Sequence, residues 1–127
     1  MATYDNDLRL KEIATGDESG GWCTSTNTNL SLIADAFGYG SEAVSGTSHA
    51  TTIADFTADA GRALYLKYTG TLSSACTITL GPNTVSKVWI IENATSGSQN
   101  IIIKQGSGAT VTIAADAVKV VYSDGGG

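Results

Sequence analysis

Beyond residue 50 the chain is a succession of short apolar runs, each closed by a cluster of turn-forming residues. RALYLKYT alternates, with Leu64, Leu66 and Tyr68 on one side and Tyr65 and Lys67 on the other. CTITL does the same, with Cys76, Ile78 and Leu80 opposite two threonines. A period of two is the mark of a strand with one buried face. SKVWIIEN is apolar on both faces at its centre, which places it in the middle of the fold. IIIKQGSGATVTI reads as a hairpin, and AVKVVY as a last strand carrying Val118, Val120 and Tyr122 on one face. TTIADF is the first strand of the set, and GPNT and SGSQN are turns. Short strands at such spacing predict a mainly β fold, a small antiparallel β-sandwich or barrel-like domain. No internal repeat implies a propeller or solenoid.

The first 40 residues have a different character. Residues 1–19 are polar with a sprinkle of Leu8, Leu10 and Ile13, and read as an arm that packs on a neighbour. One short amphipathic helix follows. Leu30, Ile33, Ala34 and Phe37 recur at helical spacing, Thr26 or Asn27 is placed to cap, and Gly38 stands where a left-handed residue would end it. At about three turns such a helix is marginal alone and must dock. SEAVSGTSHATT, small and polar, reads as a loop. The chain thus divides into an arm and helix, 1–40, and a β domain, 41–127, ending in a Gly-rich linker or tail.

Composition narrows the functions. The chain carries 7 Lys+Arg against 12 Asp+Glu, and the cations are scattered singly. Nucleic-acid binding needs a row of cations facing phosphates, and an anionic membrane surface asks for the same. No apolar run has the length of a membrane span. MATYDNDLRLKEIA has no apolar core of a secretion signal, which points to a reducing cytoplasm and to two free, mostly buried thiols at Cys23 and Cys76, with a single disulfide between them as the alternative.

Candidate chemistry is sparse. His49 is the single histidine, and Ser48 and Asp55 beside it in sequence do not define a triad, which is a matter of geometry. The acidic pairs Asp5/Asp7 and Asp17/Glu18 lack calcium-loop spacing, so no metal is expected. GYG and GSG lack the strand and helix context of a nucleotide loop, so no cofactor is expected. Asn93-Ala94-Thr95 matches a glycosylation sequon by chance. Tyr65 faces away from Leu64 and Leu66, toward solvent or a subunit interface.

GGWCTSTNTNLSLIADAFG resembles a segment found near the N-termini of tailed-bacteriophage fibre and appendage proteins, with Gly21, Trp22, Asn27, Asn29 and Ile33 matching and Cys23 where the family carries glycine. The stretch from LGPNTVSKVW to the terminal DGGG resembles a module of fibre proteins from marine phages. The resemblance implies a virion structural protein with no enzyme activity, assembled in the bacterial cytoplasm as a homotrimer and contacting other virion proteins. A capsid decoration protein or head fibre, and a carbohydrate or receptor-binding module, are the alternatives, with host glycan engaged by a distal region. On this reading Trp22, Leu30, Ile33 and Phe37 form the oligomer or attachment interface. The helix docks through Leu30, Ile33 and Phe37 on the β domain or a sister subunit.

Overall fold

The structure, a computed structural model, describes residues 1–127. Helix α1 (Trp22–Ala36) is followed by eight strands: β1 (Tyr39–Ala43), β2 (Ser48–Thr52), β3 (Tyr65–Thr69), β4 (Cys76–Gly81), β5 (Ser86–Asn93), β6 (Ile101–Gln105), β7 (Val111–Ile113) and β8 (Val118–Asp124). A 3-10 turn, Ala60–Arg62, lies between β2 and β3. The strands form two four-stranded sheets, ordered β1-β3-β5-β8 and β2-β4-β6-β7. The expected class holds: a small, mainly β, sandwich-like domain with an arm and one short helix before it.

The pairing differs from the expected antiparallel one. β1-β3-β5 and β2-β4-β6 are parallel, and only β5–β8 and β6–β7 are antiparallel. A parallel pair needs a crossover. Here the crossover for each sheet is a strand of the other, so the chain winds around the core and lays each turn against the last. Tyr65 pairs with Ile90 and Cys76 with Ile101, 25 residues on in both cases. The winding is solenoid-like although the sequence shows no repeat, because the first turn is longer: Ser48 pairs with Thr77, 29 residues on. The hairpin expected in IIIKQGSGATVTI is present, with Ile101 opposite Ile113.

Alternation fills the space between the sheets as expected for β3 and β4. Leu66 and Tyr68, Cys76, Ile78 and Leu80, Trp89 and Ile91, and Ile101 and Ile103 are all buried in one cluster. Burying each such side chain stabilises by about 1.5–3 kcal/mol before entropy is set against it. β5 lies between β3 and β8, an interior position in its sheet. SEAVSGTSHATT, expected as a loop, contains all of β2 and most of β1, which starts two residues before it at Tyr39. Small polar residues make strands here because the neighbouring turn of the coil supplies the ladder. TTIADF supplies only the end of β2, and Ile53 then enters the core.

Successive turns approach closely at the corners. Gly97 has φ +104°, and a Cβ there would meet the Leu72 carbonyl oxygen at 2.0 Å. A left-handed backbone and a stacked carbonyl together admit only glycine. Gly97→Ala is expected to cost about 1–3 kcal/mol or more, read from the urea midpoint; an unchanged midpoint would show that the turns are not stacked as described.

The helix begins at Trp22, with Gly21 at its N-cap and no side-chain cap. Thr26 and Asn27 therefore lie inside it and do not cap. The Phe37 N–H closes the helix on the Ala34 carbonyl and the Gly38 N–H on that of Asp35, and Gly38 is not left-handed. The buried face is Ser25, Leu32 and Ala36, with Asn29 at its margin, rather than the expected stripe of Leu30, Ala34 and Phe37. The arm packs on its own domain. Asn29 explains part of this: its amide donates to the Lys11 carbonyl and its oxygen accepts the Lys11 N–H, at 2.9 and 3.0 Å. Arg9 pairs with Asp55 at 2.7 Å, and the Asp7 carboxylate accepts the Ser86 N–H.

Candidate functional site

The surface left free by this packing is concentrated in two places. On α1, Trp22 (61% exposed) and Leu30 (58%) face solvent, and Phe37 (77%) follows at its end. Ile33 is half-buried between this stripe and the docked face. Leu30 and Phe37, expected to dock on the β domain or a sister subunit, are not buried against the chain's own β domain. The cause is a shift of phase. Asn29 clasps the arm at Lys11 on the side of the helix where Leu32 and Ala36 are buried, and this leaves Leu30 and Phe37 outward.

The second surface is the outer face of the first sheet. Strand register lines up Tyr39, Tyr65, Ile90 and Val120 across all four strands. Beside this row, Val88 faces Tyr122, and Glu92 faces Val118. Val120 and Tyr122 are the most exposed of the set at 69% and 80%. The shared face of Val118, Val120 and Tyr122 is thus the outer one, and Val121 is the side chain of β8 that enters the core. Tyr65 is half-buried, facing outward as its alternation indicates. Its ring stacks on Tyr39 at 5.9 Å and 26°, and its hydroxyl donates to Glu92. That bond to a carboxylate holds the Tyr65 hydroxyl above the usual phenol range. Contiguous apolar area of this kind on a small domain marks a contact surface.

His49 sits in β2, not in a loop, and its ring meets the Glu42 carboxylate of β1. The same carboxylate oxygen accepts the Thr51 hydroxyl at 3.1 Å, and Thr51 and the buried Tyr68 hydroxyl share a 2.7 Å hydrogen bond. Burial pushes the Tyr68 hydroxyl well up. Neither Ser48 nor Asp55 is hydrogen-bonded to His49; Asp55 pairs with Arg9. The chain's cleft, of about 300 Å³, lies elsewhere, between β6, β7 and β8, with Leu80, Ile103, Val111 and Val121 in its wall.

The remaining candidates are in structural use. Asn93 is fully buried: its amide donates to the Gln99 and Ile113 carbonyls at 3.0 Å each, and its oxygen accepts from the Thr95 N–H and hydroxyl. A side chain so occupied is not a glycosylation acceptor. Asp17 pairs with the N-terminal amine, which holds its carboxyl low, and Glu18 is held low by Lys11. The two cysteines are free: Cys76 is buried, and burial raises its thiol, while Cys23 is exposed on α1 against the expectation of burial. Lys87 is pushed down to about 8 by burial, with the nearby Arg62 charge adding to the effect.

Sequence reasoning missed the outward row from Tyr39 to Val120 and the Glu42–His49 pair. The first was legible only as a shared face of VKVVY whose direction was open. The second required knowing that β1 and β2 are strands. No protein-family model, curated protein or solved structure matches this chain.

Proposed function

We propose that this chain is a non-enzymatic structural subunit of a virion, the anchoring region of a tail fibre or related appendage of a tailed bacteriophage. In that role it joins copies of itself, as a homotrimer, and other virion proteins. Two things support the reading: the resemblance carried by the Trp22–Ile33 segment, and the free apolar stripe of α1. The stripe is the observation that weighs most. Leu32 and Ala36 are buried against the helix's own domain, while Trp22, Leu30 and Phe37 stay exposed and add little to its core. Apolar side chains kept on a surface after the core is complete serve contact with something else.

A capsid decoration protein or head fibre would use the same surfaces at another address on the particle. The stacked Tyr39–Tyr65 pair on the outer face of the first sheet favours a second reading, a glycan-binding face.

Phe37→Asp tests the proposal. The variant is expected to fold with an unchanged midpoint and to be lost from assembled particles. A variant present at the wild-type copy number would overturn the attachment role of the helix. Labelling Cys23 and imaging the particles separates tail from capsid, and glycan binding abolished by Tyr39→Ala would support the second reading.

A further inference from the structure

We infer that β8 is a strand-addition edge, and that its occupant is the β8 of a second copy of this chain, paired antiparallel about a twofold at Val121. The inference rests on the self-association proposed above and names a surface for it.

The backbone of β8 is open on one side. β8 ends the first sheet, paired only with β5. The Asn93 N–H bonds the Ala117 carbonyl, so by antiparallel alternation Lys119, Val121 and Ser123 bond β5. The N–H and C=O groups of Val118, Val120, Tyr122 and Asp124 then point away from it. No backbone bond outside the sheets takes up those of Val118, Val120 or Tyr122. The same three residues carry the large apolar side chains on the outer face.

The other edges are managed differently. β1 has the 3-10 turn packed at Gly40, where a Cβ would lie 2.9 Å from the Ala60 carbonyl oxygen. β2 is the polar SHATT. β7 has three residues, and its Thr112 carbonyl accepts from the Lys119 ammonium at 2.8 Å. Of the devices that protect edge strands, β8 has two charges, Asp124 at its end and Lys119 on its inner side, and the Lys119 ammonium is tied to the Thr112 carbonyl of its own chain.

The sequence of β8 is self-complementary. A twofold at Val121 pairs all seven residues and keeps inner and outer faces matched, as the pleat requires. Val120 then faces the second copy's Tyr122, an aromatic–β-branched pair repeated by symmetry. The two charges, Lys119 and Asp124, fall opposite Ser123 and Val118 of the second copy, so no like charges meet. The two four-stranded sheets become one of eight strands, and the cleft beside Val121 gains a neighbour over its open side. A threefold through another surface would combine with this twofold into a hexamer.

Native mass spectrometry and sedimentation of the full chain provide the test, at micromolar concentration, for wild type, Val120→Lys and Tyr122→Lys. Both side chains are exposed, so both variants are expected to fold with unchanged circular dichroism. Wild type is expected to contain an even number of chains. Each variant is expected to weaken the contact by about tenfold or more and to halve the mass. An even-numbered assembly indifferent to both variants would overturn strand pairing. A trimer indifferent to both would overturn it too, while leaving the reading of self-association intact. A wild type that stays a 13.0 kDa monomer would overturn both.

Discussion

Arg62→Met is expected to destabilise the protein by about 3–5 kcal/mol and to release the N-terminal arm. The Arg62 side chain is fully buried, and its guanidinium ties the arm to the stretch between β2 and the 3-10 turn. One nitrogen donates to the Leu8 carbonyl of the arm. The other donates to the Ala54 and Thr57 carbonyls at 2.8 and 3.0 Å and lies 3.4 Å from the Asp59 carboxylate. Methionine keeps much of the volume and removes every donor. Three carbonyls lose their partner, and Asp59 keeps only the backbone amides of Ala54 and Arg62. Unmade bonds in a dry site cost far more than made ones contribute. Urea unfolding gives the energy. Proteolysis before Trp22, expected to be faster in the variant, reports the freed arm. If the midpoint does not move, the arm is held by something other than Arg62.

Asn93→Ala is expected to cost about 2–4 kcal/mol, because it strands the buried Ile113 carbonyl, the part-buried Gln99 carbonyl and the Thr95 N–H at once. Asn93 sits where β5 meets the loop to β6, and it reaches across to Gln99 and to Ile113 of β7. It therefore joins the two sheets at the end where the chain reverses from parallel winding to the closing hairpin. Asn93→Asp separates polarity from shape: it keeps the Thr95 contact and loses both donors. It is expected to be as damaging as alanine at neutral pH and less so in acid, where the carboxyl can donate one bond. Equal stability of wild type and Asn93→Ala would mean that water replaces the amide.

The β character of this fold is legible because strands β3 and β4 alternate without exception across their buried faces. The winding is not legible, for a physical reason. A turn that closes a hairpin and a corner that sends the chain to the opposite sheet use the same residues, and GPNT between β4 and β5 served the second purpose. The helix was placed but its phase was not. Leu30, Ile33 and Phe37 and the docked Ser25, Leu32 and Ala36 both satisfy helical spacing, and what decides between them is Asn29 clasping the backbone of Lys11. A polar residue on a docked face carries no hydrophobic signal. Asn93 shows the same limit: its sequon is visible, but its role depends on carbonyls 6 and 20 residues away. The candidate contact surfaces were partly visible. Trp22, Leu30 and Phe37 stand out as large and apolar, and Tyr65 as outward-facing. The outer row becomes apparent only once the register aligns Tyr39 with Val120 across the sheet.

The proposed role in a virion is tested most directly by quantitative mass spectrometry of purified tailed-phage particles from cultures in which this chain is produced. The account expects peptides spanning Trp22 to Asp124 in intact particles, at a copy number divisible by three. Their absence from purified particles, with the chain abundant in the infected-cell lysate, would contradict it.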